Sequence, residues 1–262
     1  MSRTLAFALA LLAGGCTLDE RVATVAPQFH TLAAGTPLPD DATCTARVRR
    51  STFEPRPANA TANHTVPTAA QVAGLVPWNN ENFAYDDRAL GLQARVTGDF
   101  TGTTDEILQW VACKWGFDED HLRAEAVQSS GWTQGLDSDW TTNASLCPPG
   151  ADTRQADGGV ECAETYGILQ IVWQYHQSAW PMFRDSTPFH LDYILGLRRV
   201  CFEGWDTSQA ARAPAGTPYT ANDEWGCVGA HFSGEWYDAG ADSYITAVKG
   251  QLAGRAWTQP GF

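Results

Sequence analysis

The chain has 262 residues, 44% of them hydrophobic, enough to bury the core of one globular domain with extensions to spare. A formal net charge of -13 excludes the basic surface that nucleic-acid recognition needs, and it disfavours electrostatic adhesion to anionic membranes or wall polymers. Any glycan ligand must therefore be read through sugar faces and hydroxyls, for which the eleven tryptophans supply flat apolar candidates; core packing is the stronger account of any single one.

In chain order, residues 1–15 read as a signal peptide. Arg3 supplies the charge, Leu5 to Leu12 the apolar run, and Ala13-Gly14-Gly15 a small-residue cleavage site. Cys16 follows directly, which fits a bacterial lipoprotein signal with Cys16 lipidated, although Ala13 stands where Leu is usual. A plain secreted chain is the alternative, and either form is exported. Residues 16–75, rich in Ala, Thr and Pro, read as a tether and an irregular N-terminal extension. Asn59, Asn63 and Asn143 stand in glycosylation sequons, which are frequent by chance.

The main domain is placed at 76–262, with its best-defined helices beginning near Thr101. Thr103-Thr-Asp-Glu106 is a capping box that opens a helix ending before Gly116. Asp118 then caps a second helix, Glu119 and Asp120 suit the positive end of its dipole, and Gly131 stops it. Helical spacing puts Glu125, Ser129 and Trp132 on one face. Residues 134–162, dense in Asp, Thr, Pro and Gly, read as a long loop or small lobe, and Tyr166 to Trp173 as a short strand or the start of a helix. Helices are expected from Ser186-Thr-Pro-Phe189 to Gly204, through Trp225, Val228 and Phe232, and over Ala241 to Leu252 with Tyr244, Ile245 and Val248 as its buried stripe, with a loop from Asp206 to Thr220. The predicted class is mainly α with a loop-rich, disulfide-bonded lobe and at most a small β element.

Setting Cys16 aside leaves six cysteines, an even set that suits disulfides in an exported chain. Sequence alone cannot choose their pairing; taking neighbours first gives Cys147–Cys162, Cys201–Cys227 and Cys44–Cys113. No metal-ligand spacing appears, so neither a metal nor another cofactor is expected, and His176, His190 and His231 read as ordinary polar residues.

Two short motifs resemble those of the lysozyme-like soluble lytic transglycosylases. Arg123-Ala-Glu-Ala-Val-Gln-Ser-Ser-Gly-Trp132 is similar to the family's catalytic helix, and Gly167-Ile-Leu-Gln-Ile171 to its Gly-Leu-Met/Leu-Gln-Ile/Val run. The likeness covers roughly residues 100–255 and implies a lysozyme-like domain directed at the N-acetylated glycan of peptidoglycan; with the anchor read at Cys16, a monomer held to the membrane is expected. A later Tyr-Asn-x-Gly element has a blurred counterpart in His231-Phe-Ser-Gly234. Aligned this way, the family's catalytic Glu falls on Ser129. A serine hydroxyl is far too weak an acid to protonate a glycosidic oxygen, a task that needs a carboxyl with a raised pKa.

Three readings follow. The favoured one is a degenerate member that binds glycan without cleaving it. The second is an active transglycosylase or muramidase with a displaced acid: Glu125 one turn below Ser129, Glu164 before Tyr166-Gly167, or Glu235 in Gly234-Glu-Trp-Tyr-Asp238. The third is a scaffold for protein contacts in the envelope. Trp132, Tyr166, Gln170, Trp173 and Tyr237 are the residues proposed to touch substrate, with burial in the core as the competing role for the aromatics and backbone bonding for Gln170.

Overall fold

A computed structural model describes residues 26–80 and 84–262. The signal segment and Cys16 lie outside the described residues. Among those described, eleven α-helices surround a small four-stranded antiparallel sheet, the mainly α architecture with a minor β element. No helix among them is long and apolar enough to cross a membrane.

The core is built on helices α5 (Thr104–Trp115) and α8 (Thr187–Phe202), every residue of which is buried. The capping box is present at Thr103 and Glu106, and Gly116 closes α5 in the left-handed conformation at φ 64°. Gly196 lets the two helices and a distant aromatic meet, since a Cβ there would stand 2.8 Å from the Trp78 ring and 3.0 Å from that of Trp115. On α8, Asp192 accepts from Lys114 Nζ and Trp115 Nε1, both at 2.8 Å, and from the backbone N–H groups of Thr97 and Gly98. A buried carboxylate with this many donors offsets its own desolvation.

Residues 26–75 differ from a tether. They hold the short helices α1 (Asp41–Arg47), α2 (Ala60–Asn63) and α3 (Ala69–Ala73), and they bury Phe29 and Cys44 in the common core. Their anchors are polar and distant in sequence, which hydrophobic periodicity does not register. Asn59 Nδ2 donates to Trp132 O at 2.7 Å and Thr104 Oγ1 at 3.0 Å, while its Oδ1 accepts from Gln134 N. Asn63 Nδ2 donates to Glu54 Oε2 at 2.9 Å. With both amides engaged and 1% exposed, these two sequons serve packing in the folded chain.

Helix α4 (Ala89–Gln93) leads into α5, and α6 (Glu119–Ser130) follows it. Asp118 caps α6 by accepting from Asp120 N and His121 N, and Gly131 ends it at φ 59°. The expected lobe at 134–162 is the sheet: β1 (Asp137–Thr141), β2 (Thr153–Ala156) and β3 (Gly159–Tyr166), ordered β1-β3-β2, with β4 (Ile171–Val172) pairing to the end of β3. Tyr166 therefore ends a strand, and a turn separates it from β4. After α7 (Met182–Asp185) and α8, the stretch expected as a loop carries α9 (Thr207–Arg212), capped by Asp206. Helices α10 (Glu224–Ser233) and α11 (Ala239–Gly254) complete the fold, and α11 lies along α6. The cysteines pair as Cys44–Cys113, Cys147–Cys162 and Cys201–Cys227, the neighbour-first arrangement. The first ties α1 to α5, the second holds the sheet lobe, and the third joins α8 to α10.

Candidate functional site

A pocket of about 340 Å³ opens where the last turn of α6 meets the sheet, α10 and α11. Helix α6 contributes Gln128 and Ser129 and helix α11 contributes Ser243, Tyr244 and Ala247, so their neighbouring faces form one wall. The opposite wall is Ser138 and Asp139 of β1, Thr165 of β3, and the Leu169–Gln170 turn with Val172. His231 and Phe232, at the end of α10, close a third side.

Adjacent strand residues normally point to opposite faces. Ser138 and Asp139 nevertheless both line the pocket, and Asp139 has φ 51°, a left-handed conformation that interrupts the alternation. Gln170 is also left-handed, at φ 54°. Such conformations cost about 1–3 kcal/mol each and are held only where surrounding contacts fix them. Those contacts are present. The Thr165 hydroxyl donates to Asp139 Oδ2 at 2.5 Å, Ser138 Oγ donates to Gln170 Oε1, and Gln170 Nε2 donates to Gly167 O at 2.6 Å.

Two histidines clamp the residue before Gln170 from both sides of its peptide. His190 Nε2 accepts from Leu169 N at 3.0 Å while its Nδ1 donates to Phe183 O at 2.8 Å, and His231 Nε2 donates to Leu169 O at 2.9 Å. Burial pushes His190 down to about 3 and His231 down to about 4, so both imidazoles are neutral and each keeps the tautomer its bonds require. Gly167 makes room for this: a Cβ there would stand 2.5 Å from the His190 ring.

Ser129 Oγ and Tyr244 Oη are hydrogen-bonded at 2.6 Å on the helical wall. Burial, and next the nearby Glu125 charge, push the Tyr244 phenol up, so it stays a neutral hydroxyl. The Tyr244 ring stacks on Phe232, centroids 4.4 Å apart and 3° from parallel, and Phe232 is 59% exposed at the rim. The pocket thus offers hydroxyls, amides and one flat aromatic face, with Asp139 as its carboxylate.

Of the residues proposed from the sequence, the pocket brings together Ser129 and Gln170, one from each motif. Glu125 lies beneath, 1% exposed, with both carboxylate oxygens taken by Arg198 Nη1 and Nη2. Burial holds its carboxyl above the ordinary value, a rise the Arg198 guanidinium opposes without cancelling. Glu164 is half-buried on β3 outside the pocket lining, its carboxyl raised by burial and then by the charge of Asp139. Trp132 leaves the α6 face because Gly131 and Trp132 itself are both left-handed; its buried indole donates to Arg123 O at 3.0 Å and packs edge-on to Phe262. Tyr166 is buried, donates to Ala163 O at 2.7 Å, and packs against Trp180. Trp173 opens a short 3-10 turn and packs on the core, and Tyr237 donates to Asp223 at 2.9 Å; neither lines the pocket. Glu235 pairs with Arg212 at 2.9 Å on the surface.

Sequence reasoning missed Asp139, Thr165, Phe232 and Tyr244. Phe232 follows His231 in the blurred third motif, so that signal existed; Tyr244 read only as part of the buried stripe of α11. Among the described residues, no group of three His, Cys, Asp or Glu side chains is placed to hold a metal ion. Set beside protein-family models, curated proteins and solved structures, the chain has no significant match to any of them.

Proposed function

We propose that the protein is an exported, envelope-anchored binder of the peptidoglycan glycan that has kept a sugar pocket and lost the acid that would cut the chain. The observation that carries this reading is the meeting of Ser129 and Gln170, from motifs far apart in sequence, in one pocket whose hydrogen-bonding groups, Asp139 apart, are neutral and whose rim is an exposed aromatic. Sugars present that chemistry in return: hydroxyls and amides around the ring edge, and an apolar ring face for Phe232. A displaced acid finds little support, because a proton donor must reach the leaving oxygen and Glu125 is held by Arg198 below the pocket floor. Cys16 would supply the anchor, keeping the domain beside the wall.

Sedimentation with purified peptidoglycan, alongside measurement of released muropeptides, tests the proposal. Wild-type protein is expected to pellet with the polymer and release nothing. Release by the wild type would overturn the non-hydrolytic reading, its loss in Glu125→Gln would name Glu125 as a displaced acid, and failure to pellet would overturn glycan binding. Ser129→Glu restores a carboxyl on the helical wall and is expected to keep binding while gaining slow release.

A further inference from the structure

Among the described residues that line the pocket, Asp139 is the one charged side chain. The buried Arg198 guanidinium is matched by Glu125, and Arg154 on β2, separated from β1 by β3, is matched by Glu161 at 2.8 Å. Thr165 donates to Asp139 Oδ2, and Asp139 is exposed while lining the pocket, so its carboxylate keeps acceptor capacity for a ligand. A ligand group meeting this carboxylate must donate hydrogen bonds and gains if it carries positive charge. The carbonyl of an N-acetyl group does neither.

We infer that the pocket prefers a glycan unit bearing a free amine over its N-acetylated form, with Asp139 receiving the ammonium group. This rests on the glycan-binding reading and adds the substrate class to it. The other walls supply hydroxyl and amide partners indifferent to acetylation, so discrimination falls on Asp139. Its preference is electrostatic and weakens as salt screens an exposed pair.

The test is calorimetric titration of the full-length protein with short glucosamine oligomers and with N-acetylglucosamine oligomers of equal length, in mildly acidic buffer that keeps the amine protonated. Wild type is expected to favour the amine form by about fivefold, the upper end for an exposed ion pair, and to lose that preference in high salt. Asp139→Asn keeps an acceptor of similar shape; it is expected to abolish the preference, so that the amine and acetylated forms bind the variant equally, while an unchanged melting temperature and circular dichroism spectrum report that the variant is folded. Equal affinity for the two oligomers in wild type would overturn the inference and leave glycan binding intact. A preference that survives in Asp139→Asn would also overturn it, assigning the effect to the net charge of -13. If neither oligomer bound, the glycan-binding reading would fail, and the inference with it.

Discussion

The two ends of helix α6 use polar residues in opposite ways. Through its first half, charges are buried and paired: Arg123 bonds Asp105 at 2.6 Å, Asp120 at 2.7 Å and Glu119 at 3.0 Å, and Glu125 is taken by Arg198. At the last turn, Gln128 and Ser129 are half-buried, neutral and turned to the pocket. A carboxylate serves chemistry only if its oxygens are accessible and its proton is exchangeable. Glu125 is close to the pocket along the chain, yet its partner makes it part of the framework.

The sharpest way to break this contrast is to remove the partner. Arg198→Met leaves Glu125 buried and unpaired, which is expected to cost about 3–5 kcal/mol and lower the melting temperature by about 10 °C. Adding Glu125→Leu should recover most of that loss, since an apolar pair can replace a buried ion pair. A small loss in Arg198→Met alone would mean that Glu125 is protonated or free to move, reopening its candidacy as an acid.

Acid probes the other side of the pocket. His176 and His190 are buried, and burial pushes both down to about 3 from an ordinary 6.5. The unfolded chain takes up these protons near pH 6.5 and the folded chain does not. Stability is therefore fully present above about pH 6.5 and is lost as pH falls toward 3, by about 1.4 kcal/mol per pH unit for each histidine. Urea midpoints across this range should fall steadily, with the imidazole signals remaining neutral until unfolding. Protonation of the His190 ring in the intact protein near pH 6 would contradict the neutral clamp on Leu169.

Ser129→Ala tests the pocket end of α6 alone. Losing the bond to Tyr244 is expected to cost about 0.5–1.5 kcal/mol, well below the Arg198 effect, because both groups can turn to water in the open pocket. The smallest effect lies at the first residue of β1, where solvent around the half-buried Asp137 screens its charge. Asp137 is hydrogen-bonded to Asp152, and burial together with that neighbour pushes its carboxyl up to about 7. The folded state holds this proton more tightly than the unfolded chain, so the contribution is present at low pH and is lost as pH rises from about 4 through 7. Asp137→Asn should raise the melting temperature slightly in alkaline buffer and leave it unchanged in acid.

Local signals in the sequence marked what is locally determined. The Thr103 capping box, the Asp118 cap, the Gly116 and Gly131 stops and the apolar stripe of α11 are each decided within one or two turns, and all are present. The sheet escaped because β1 reads Asp-Ser-Asp-Trp-Thr and β2 reads Thr-Arg-Gln-Ala, with no apolar alternation to betray a strand. Order in the N-terminal segment escaped because Asn59 and Asn63 find partners dozens of residues away. Aromatic identity misled for the site. Trp132 and Tyr166 are anchored inside by their own polar tips, whereas Phe232, without one, stands at the rim.

The central claim, that the pocket at the end of α6 binds glycan, is met most directly by mapping amide chemical shifts of isotopically labelled protein during titration with a soluble N-acetylglucosamine oligomer. The expected result is saturable shifts at Ser129, Ser138, Gln170 and Phe232, with the Arg123 and Glu125 amides unmoved. No shifts, or shifts centred on another face such as Trp140 and Arg154, would contradict it.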